Sequence, residues 1–571
     1  MNFEEKYNLF KLEEKKIDLL SESFSPFLSK LLLARGIDTK KEAEDFLDIS
    51  WDKMLDPFLF SDMEKVVKRI LDGIQSNEKI VIFSDYDADG VPGGAAFFDF
   101  FQKIKYGNFT NYIPDRNKEG FGLNFNIIEK WKEEKVDLVI TIDCGIADVE
   151  ESKKMKEYGI DLIITDHHKG KKDLPESVGI INHQSDDNYP EKFLCGAGTI
   201  FKVIQALITR GKERKIPSFL IIQHGWEKWL LDVVATATIC DMVPLKGENR
   251  ILAHYGKLVM GKSRRDGLLA ILSAGGLNKN KISCQDIAFT LGPRINAAGR
   301  LEHPDFAFNT LTKRGVQGIA NAKELERINR KRKTFIATVM RGVYAKLEKR
   351  EIGKVVVIGD KDWPLGVVGL IASKISEKYS VPAFVWSEFD KNTVKGSVRS
   401  NGEISIHSLM EETSESFSSF GGHEMAGGFE SEFSKIHFLE EELNKNYSKA
   451  KKVKKEKKKI DLKISLDDVN ILNMKEMKKL SPFGMGNEVP IFLLENIEIF
   501  KIRIFGKNSE HLELTFKNSK GQWINAIKFF YLEHFGNREF KEEEKINLIC
   551  VMEENNFLGN TKLQLKIEDI Y

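Results

Sequence analysis

Three things that this chain lacks narrow its possibilities. Nothing in its 571 residues approaches the ~18 consecutive apolar positions of a membrane span, and the opening stretch Met1 to Lys16 has no apolar secretory core. A cytoplasmic protein without membrane association is expected. The five cysteines, at 144, 195, 240, 284 and 550, contain no CxxC pair and leave an odd count, which argues for reduced thiols and against a disulfide framework or a cysteine-built zinc site. The formal net charge is +1, so no global excess points to a polyanionic partner and any basic patch must be local. No tandem repeat indicates a solenoid.

What the chain does contain is an ordinary globular composition, 42% hydrophobic and 30% charged, in a length that suggests roughly three or four domains. Residues 1–50 carry helical periodicity, with a capping-box pattern at Thr39 to Glu42, and read as a helical N-terminal extension. Residues 51–312 form a first α/β domain, in which apolar strands alternate with helical patterns at Gly94 to Lys103, Asn126 to Glu134 and Val149 to Tyr158. That alternation is the signature of parallel strand and helix units. A connecting helix is expected over 313–350, a second, smaller α/β domain over 351–450, and a lysine-rich linker over 451–459. The linker reads as a solvated hinge in preference to a phosphate contact. Period-two segments such as Ile497 to Ile504, His511 to Phe516 and Leu563 to Ile567 suggest a small OB-like β-barrel over 460–571.

The chemistry is concentrated where apolar runs end. Ile80 to Phe83 reads as a strand buried on both faces and runs into Asp85, Asp87 and Asp89 before Gly90. The pattern recurs where Val136 to Ile142 ends at Asp143 and where Ile160 to Thr165 ends at Asp166, His167 and His168. A fourth, less regular case runs from Leu231 to Cys240 into Asp241. In an open parallel sheet the carboxyl ends of the strands line the ligand crevice, so these groups should converge there. One such aspartate is well explained as a helix cap; the recurrence is not.

Like charges at such density call for a divalent cation, and oxygen ligands with one imidazole per site suit Mg2+ or Mn2+ better than zinc. Two ions ~4 Å apart activate a water and stabilise both oxygens of an in-line displacement at phosphorus. Asp143, central among the strand ends, is the candidate bridging carboxylate, with Asp87 on one side and Asp89, His167 and Asp241 on the other. Asp166 is expected to orient a histidine and His168 to face the phosphate.

Two basic constellations fit a phosphate substrate. Leu291 to Arg300 sets Arg294, Asn296 and Arg300 among small residues that allow close backbone approach, although a turn with ion-paired arginines explains the stretch equally well. Farther on, Ser397 and Arg399 within Lys395 to Ser400, and His423 within the glycine-rich Phe420 to Gly428, offer an anion cradle, with turn punctuation as the plain alternative.

Taken in order, Asp85 to Gly90, Asp143, the literal Asp166-His167-His168 triplet and Asp241 to Leu245 resemble the successive motifs of the DHH phosphoesterase superfamily. Leu291 to Leu301, Gly396 to Ser400 and Gly421 to His423 resemble its DHH-associated half, and the full set, with Ala34 to Ile37 and Leu55 to Pro57, most resembles the RecJ branch of bacterial single-strand exonucleases. The resemblance covers roughly residues 30 to 500. It implies a parallel-sheet DHH domain joined by a long helix to a DHH-associated domain, and degradation of single-stranded DNA from the 5′ end to nucleoside 5′-monophosphates with Mg2+ or Mn2+, in recombination and repair. It also implies a catalytic set that includes Asp85, Asp166 and His168. Arg116, in Ile113 to Arg116 ahead of Glu119 to Gly122, matches an arginine that holds the 5′-phosphate end, a task shared by Ser397 and Arg399, and His423 matches a histidine near the substrate phosphates. A monomer fed with ends by a helicase and a single-strand-binding protein is the expected setting. Two positions depart from the pattern: Pro92 stands where a threonine is frequent, and Phe83 where some relatives carry a metal-binding histidine, which implies fewer protein ligands on the first metal. The rival readings are a DHH phosphodiesterase for short oligoribonucleotides or cyclic dinucleotides, and a non-catalytic DNA-binding scaffold.

Overall fold

The computed structural model describes residues 3–170, 172–454, 457–536, 538–557 and 560–571. They divide into two compact units, Lys53–Lys455 and a second built from Met1–Asp52 with Glu456–Tyr571.

In the first unit a parallel sheet is assembled from β1 (Ile80–Ser84), β2 (Phe109–Tyr112), β3 (Leu138–Ile142), β4 (Asp161–Thr165) and β5 (Gly179–Ile181), in the order β2-β1-β3-β4-β5. All five residues of β1 and of β3 are buried, because helices cover both faces of the sheet and leave no side for polar alternation. On one face Ile127, Ile128, Trp131 and Met155 pack with Val81, Phe83, Val139 and Ile164. Against the other lies α1 (Gly90–Lys103), where Gly93 abuts Ile142. Register then does the functional work: Ser84 pairs with Ile142 and Ile142 with Thr165, so the three strands end level. Asp85, Asp143 and Asp166 leave the sheet side by side, each donating its backbone N–H to the carbonyl of the next strand's last residue.

Behind the sheet stand α2 (Gly196–Glu213), α3 (Leu231–Cys240), α4 (Gly247–Gly261), α5 (Asp266–Ala274) and α6 (Gly292–Leu301). The run Leu231 to Cys240, the less regular case in a region from 193 to about 312 that reads mainly helical, is a helix. An apolar run buried on all sides has no period to distinguish strand from helix, and nine of its ten residues are buried. The connecting helix α7 spans Gly315–Leu347, and its last turns, with Ile336, Met340, Val343 and Leu347, share a core with Val367, Ile371 and Val385. The second sheet comprises β6 (Val356–Gly359), β7 (Ala383–Glu388), β8 (Thr393–Arg399), β9 (Ser419–Gly422) and β10 (Ala426–Glu432), with α8 (Leu365–Tyr379) after β6. Its order is β9-β10-β8-β7-β6, and only β6 and β7 are parallel.

In the second unit the helix Pro26–Ala34, capped by the Ser25 hydroxyl, buries Leu28, Leu31 and Leu32 in one core with Phe492, Leu494, Leu512 and Leu548. The N-terminal extension thus completes the C-terminal core. The capping box Thr39 to Glu42 is formed. The segment Ile497 to Ile504, read as one strand, is two: Phe492–Glu498 and Lys501–Phe505 belong to different pairings, and a register shift falls between Leu494 and Ile497. The seven-stranded sheet is OB-like, but among the described residues no pairing joins its end strands, Leu462–Lys463 and Lys501–Phe505, into a closed barrel. Part of the lysine-rich stretch, residues 455 and 456, lies outside the described residues. Among those described, no helix is long and apolar enough to cross a membrane.

Candidate metal centre and anion seam

Level strand ends bring the acids together. Three groups of potential ligands, each with atoms within 4.8 Å of one another, are Asp85, Asp87 and Asp143; Asp143, His167 and His168; and Asp89, His167 and Asp241. His167 Nε2 lies 3.1 Å from Asp143 Oδ1 and 3.7 Å from both Asp89 Oδ2 and Asp241 Oδ2. Asp143 belongs to two of the groups, as does His167. The Oδ1 atoms of Asp85 and Asp143 are buried and accept no hydrogen bond, so their lone pairs enter the cluster unmet. With five carboxylates and two imidazoles, the set is dominated by oxygen donors and fits hard divalent cations.

The surroundings aim these groups. Asp89 accepts the N–H groups of Gly196 (2.6 Å) and Ala197 (2.8 Å) at the start of α2, which fixes both of its oxygens. Asp87 Oδ1 accepts the Asp89 N–H at 2.7 Å, closing the acidic loop on itself. Asp143 sits at φ 66°, a left-handed turn that swings the chain sharply off the end of β3. Asp166 Oδ1 accepts the His167 and His168 N–H groups and lies 2.8 Å from His168 Nδ1, while its Oδ2 accepts from Ile146. It orients the histidines. Asp241 caps the C-terminal end of α3.

Electrostatics show the cost of this crowding. Burial, then the neighbouring carboxylates, pushes Asp143 well above the usual carboxylate range, and burial with Asp87 does the same to Asp85. Burial raises Asp89 despite the proximity of His167, and burial followed by Asp89 and Asp87 takes Asp241 up to about 8. Burial opposes ionisation of Asp166, but the hydrogen bond and charge of His168, with the backbone N–H groups of His168 and Ile146, together outweigh it and hold the carboxyl below its ordinary value. Burial lowers His167; at His168 burial is overcome by Asp166, which carries the ring up to about 9.

Across the opening, guanidinium groups gather where α6, α8 and β8 meet. Arg300 Nη1 donates to the Gly366 carbonyl at 2.7 Å, Arg399 Nη1 donates to Ser397 Oγ at 2.8 Å, and Arg116 stacks over the Tyr86 ring at 5.1 Å. Burial, then Arg116 and Arg332, pulls Arg300 down to about 10, and burial with Arg116 lowers Arg399. These like charges face one another and Asp87, the setting of an anion site.

Two expected substrate contacts, Arg294 and Asn296, are engaged within the fold. Arg294 is committed to Glu326 (2.7 Å) and to the Thr290 carbonyl, so it serves as a strut between α6 and α7. Asn296 Oδ1 accepts the Ala88 N–H at 2.8 Å and holds the acidic loop. His423 is at the exposed tip of the β9–β10 hairpin. Phe83 lies in the apolar cluster beside Tyr112 and Trp131 and offers the metal groups nothing, whereas Pro92 falls in the first turn of α1, where its missing N–H costs no helical bond. The grip of Gly196 and Ala197 on Asp89 escaped the sequence reading. Its signal was the run Cys195-Gly-Ala-Gly198 opening an apolar helix. Arg332 had no signal within its charged run.

Comparison with known proteins agrees. Residues 79–238 match the DHH family, N-terminal domain, 351–449 the DHHA1 domain and 460–569 the RecJ OB domain. The chain is 31% identical to the single-stranded-DNA-specific exonuclease RecJ of Bacillus subtilis over 569 residues, covering 98% of this chain and 70% of that one. To the RecJ of Haemophilus influenzae it is 28% identical over 571 residues, 96% of this chain and 97% of the other. Among solved structures, RecJ of Thermus thermophilus with Mn2+ superposes with a TM-score of 0.82 at 23% identity, over 99% of this chain and 79% of that one, and shares the fold. A manganese-bound exonuclease RecJ gives a TM-score of 0.58 at 27% identity, over 69% of this chain and 96% of the other.

Proposed function

This chain belongs to the RecJ family of single-stranded-DNA-specific exonucleases, and from that premise we propose that it degrades single-stranded DNA from the 5′ end, releasing nucleoside 5′-monophosphates, with two divalent cations, Mg2+ or Mn2+, as cofactors. The observation that carries the reading is the convergence of Asp85, Asp87, Asp89, Asp143, His167 and Asp241 at one sheet edge, opposite Arg116, Arg300 and Arg399, which make no ion pair among the described residues. Asp85, Asp87 and Asp143 would hold one ion; Asp143, Asp89, His167 and Asp241 the other. When bound, such ions supply charge neutralisation and Lewis-acid activation for displacement at phosphorus.

The chain's own groups do the rest. Asp166 anchors His168 through Nδ1 and leaves Nε2 to donate to a phosphate oxygen. Arg116, Arg300, Ser397 and Arg399 receive the terminal 5′ phosphate, which sets the polarity: a strand can seat only by the end that carries it. The exposed aromatics Phe500 and Trp523 of the OB-like sheet, 4.5 Å apart with Lys517 over Trp523, suit stacking and backbone contact with single-stranded DNA. A cytoplasmic monomer supplied with ends by a helicase and a single-strand-binding protein belongs to the same proposal.

A long single strand labelled at either end tests it. A 5′ label should appear at once as mononucleotide while a 3′ label stays on long product. Preference for a dinucleotide over the long strand would overturn the reading in favour of a small-substrate phosphodiesterase, and metal-independent DNA binding without hydrolysis would leave only a scaffold.

A further inference from the structure

Arg332 lies on α7, away from every motif discussed above. Its neighbours on the helix are neutralised: Arg327 pairs with Glu324, and Arg330 with Glu326, which also holds Arg294. Arg332 is different. Its Nη2 donates to Asn329 Oδ1 at 3.0 Å, its Nε is buried with no hydrogen-bond partner, and it makes no ion pair among the described residues. Arg294 lies close to it but is neutralised by Glu326, so the uncompensated charge that faces it is that of Arg300 at the seam. A half-buried guanidinium among like charges destabilises a fold unless something else occupies its donors.

The surroundings indicate what that is. Arg300 is pressed against the first turn of α8, where a Cβ on Gly366 would come within 2.6 Å of the Arg300 Cα, and one turn on, Gly369 lies against Arg399 and Ser397. α6, α8 and β8 thus bring Arg300, Ser397 and Arg399 together, and α7 packs against α6 and α8. Arg332, on α7, faces Arg300, and a chain of phosphates is a ligand whose charge repeats over such a set of cations.

We propose that Arg332 binds a backbone phosphate of the substrate strand, a contact additional to those of the terminal phosphate; the proposal rests on the nuclease reading above. Full-length wild type, Arg332→Gln and Arg332→Lys are compared by fluorescence anisotropy with a labelled oligothymidylate in EDTA, over a range of KCl concentrations. Arg332→Gln should bind roughly tenfold more weakly at low salt. The slope of log affinity against log salt should become shallower by about 0.7, the share of one phosphate on a single strand. Arg332→Lys should keep the slope. Thermal midpoints should be unchanged or higher in Arg332→Gln, since an unpaired buried charge has been removed, whereas a purely structural residue would lower them. Unchanged affinity, or weaker binding with an unchanged slope, would overturn the assignment. Failure of the wild type to bind the strand would instead overturn the nuclease reading itself.

Discussion

Gly196 is packed against Asp143 so tightly that a methyl group on it would lie 2.4 Å from the Asp143 Cβ and 2.8 Å from its Cα. The first residue of α2 is thereby a wall of the metal cluster. Gly196→Ala must push the carboxylate or the helix aside, at a cost of about 1 to 3 kcal/mol. Mn2+ affinity by calorimetry should fall together with the thermal midpoint.

Asp143→Asn removes the shared carboxylate and should reduce hydrolysis by roughly a thousandfold or more, the scale of losing a central electrostatic element. The metal-free variant should be more stable than metal-free wild type, because one of several mutually repelling buried acids has gone. Melting in EDTA and a gel assay of strand degradation check both outcomes. Retained activity would remove Asp143 from the centre.

Metal removal itself has a pH signature. Asp241 is raised to about 8 by burial and its acidic neighbours, and Asp85, Asp89 and Asp143 are raised as well. Groups raised above their unfolded values bind protons preferentially in the folded state, so metal-free stability is greatest below the ordinary carboxylate value and is lost as pH rises toward 8. Saturating Mn2+ should cancel that slope, adding about 4 kcal/mol at a thousandfold excess over Kd. Urea titrations at several pH values, with EDTA or Mn2+, provide the measurement.

Lys202 is fully buried, with Nζ 2.7 Å from Glu248 Oε1 and 2.6 Å from the Leu55 carbonyl. Lys202→Met would strand a buried carboxylate and should cost roughly 3 to 5 kcal/mol. Adding Glu248→Gln should recover most of the loss, because the amide oxygen can still accept the Leu55 N–H. A double-mutant cycle in urea reads the difference.

His183 donates from Nε2 to the Leu194 carbonyl at 2.7 Å, and burial lowers it to about 4. A depressed histidine contributes stability that is complete above pH 6.5 and lost as pH falls through 4, up to roughly 3 kcal/mol for this shift. His183→Gln keeps a donor without the titration. Its acid-side stability curve should be flatter than that of wild type by about this amount.

Legibility in the sequence followed the range of the signals. Continuous apolar runs ending in Asp85, Asp143 and Asp166 are local patterns, and the structure builds each as a buried strand with its acid at the edge. Leu231 to Cys240 is a run of the same kind without period, and its place in a mainly helical region is what separates it from a buried strand. Arg294 and Asn296 sat in a suggestive motif, but which partner each would meet depended on Glu326 and Ala88, both distant in sequence.

By itself the sequence determined the buried strands that end in Asp85, Asp143 and Asp166 and the class of metal that their acids suit, because strand burial and donor chemistry are properties of short segments. Only the tertiary structure decided that the N-terminal helices complete the C-terminal core, that Gly196 walls the cluster and that Arg332, without an ion pair among the described residues, lies near Arg300. Those relationships arise from the packing of segments far apart along the chain, and no local periodicity encodes which side chains such packing brings face to face.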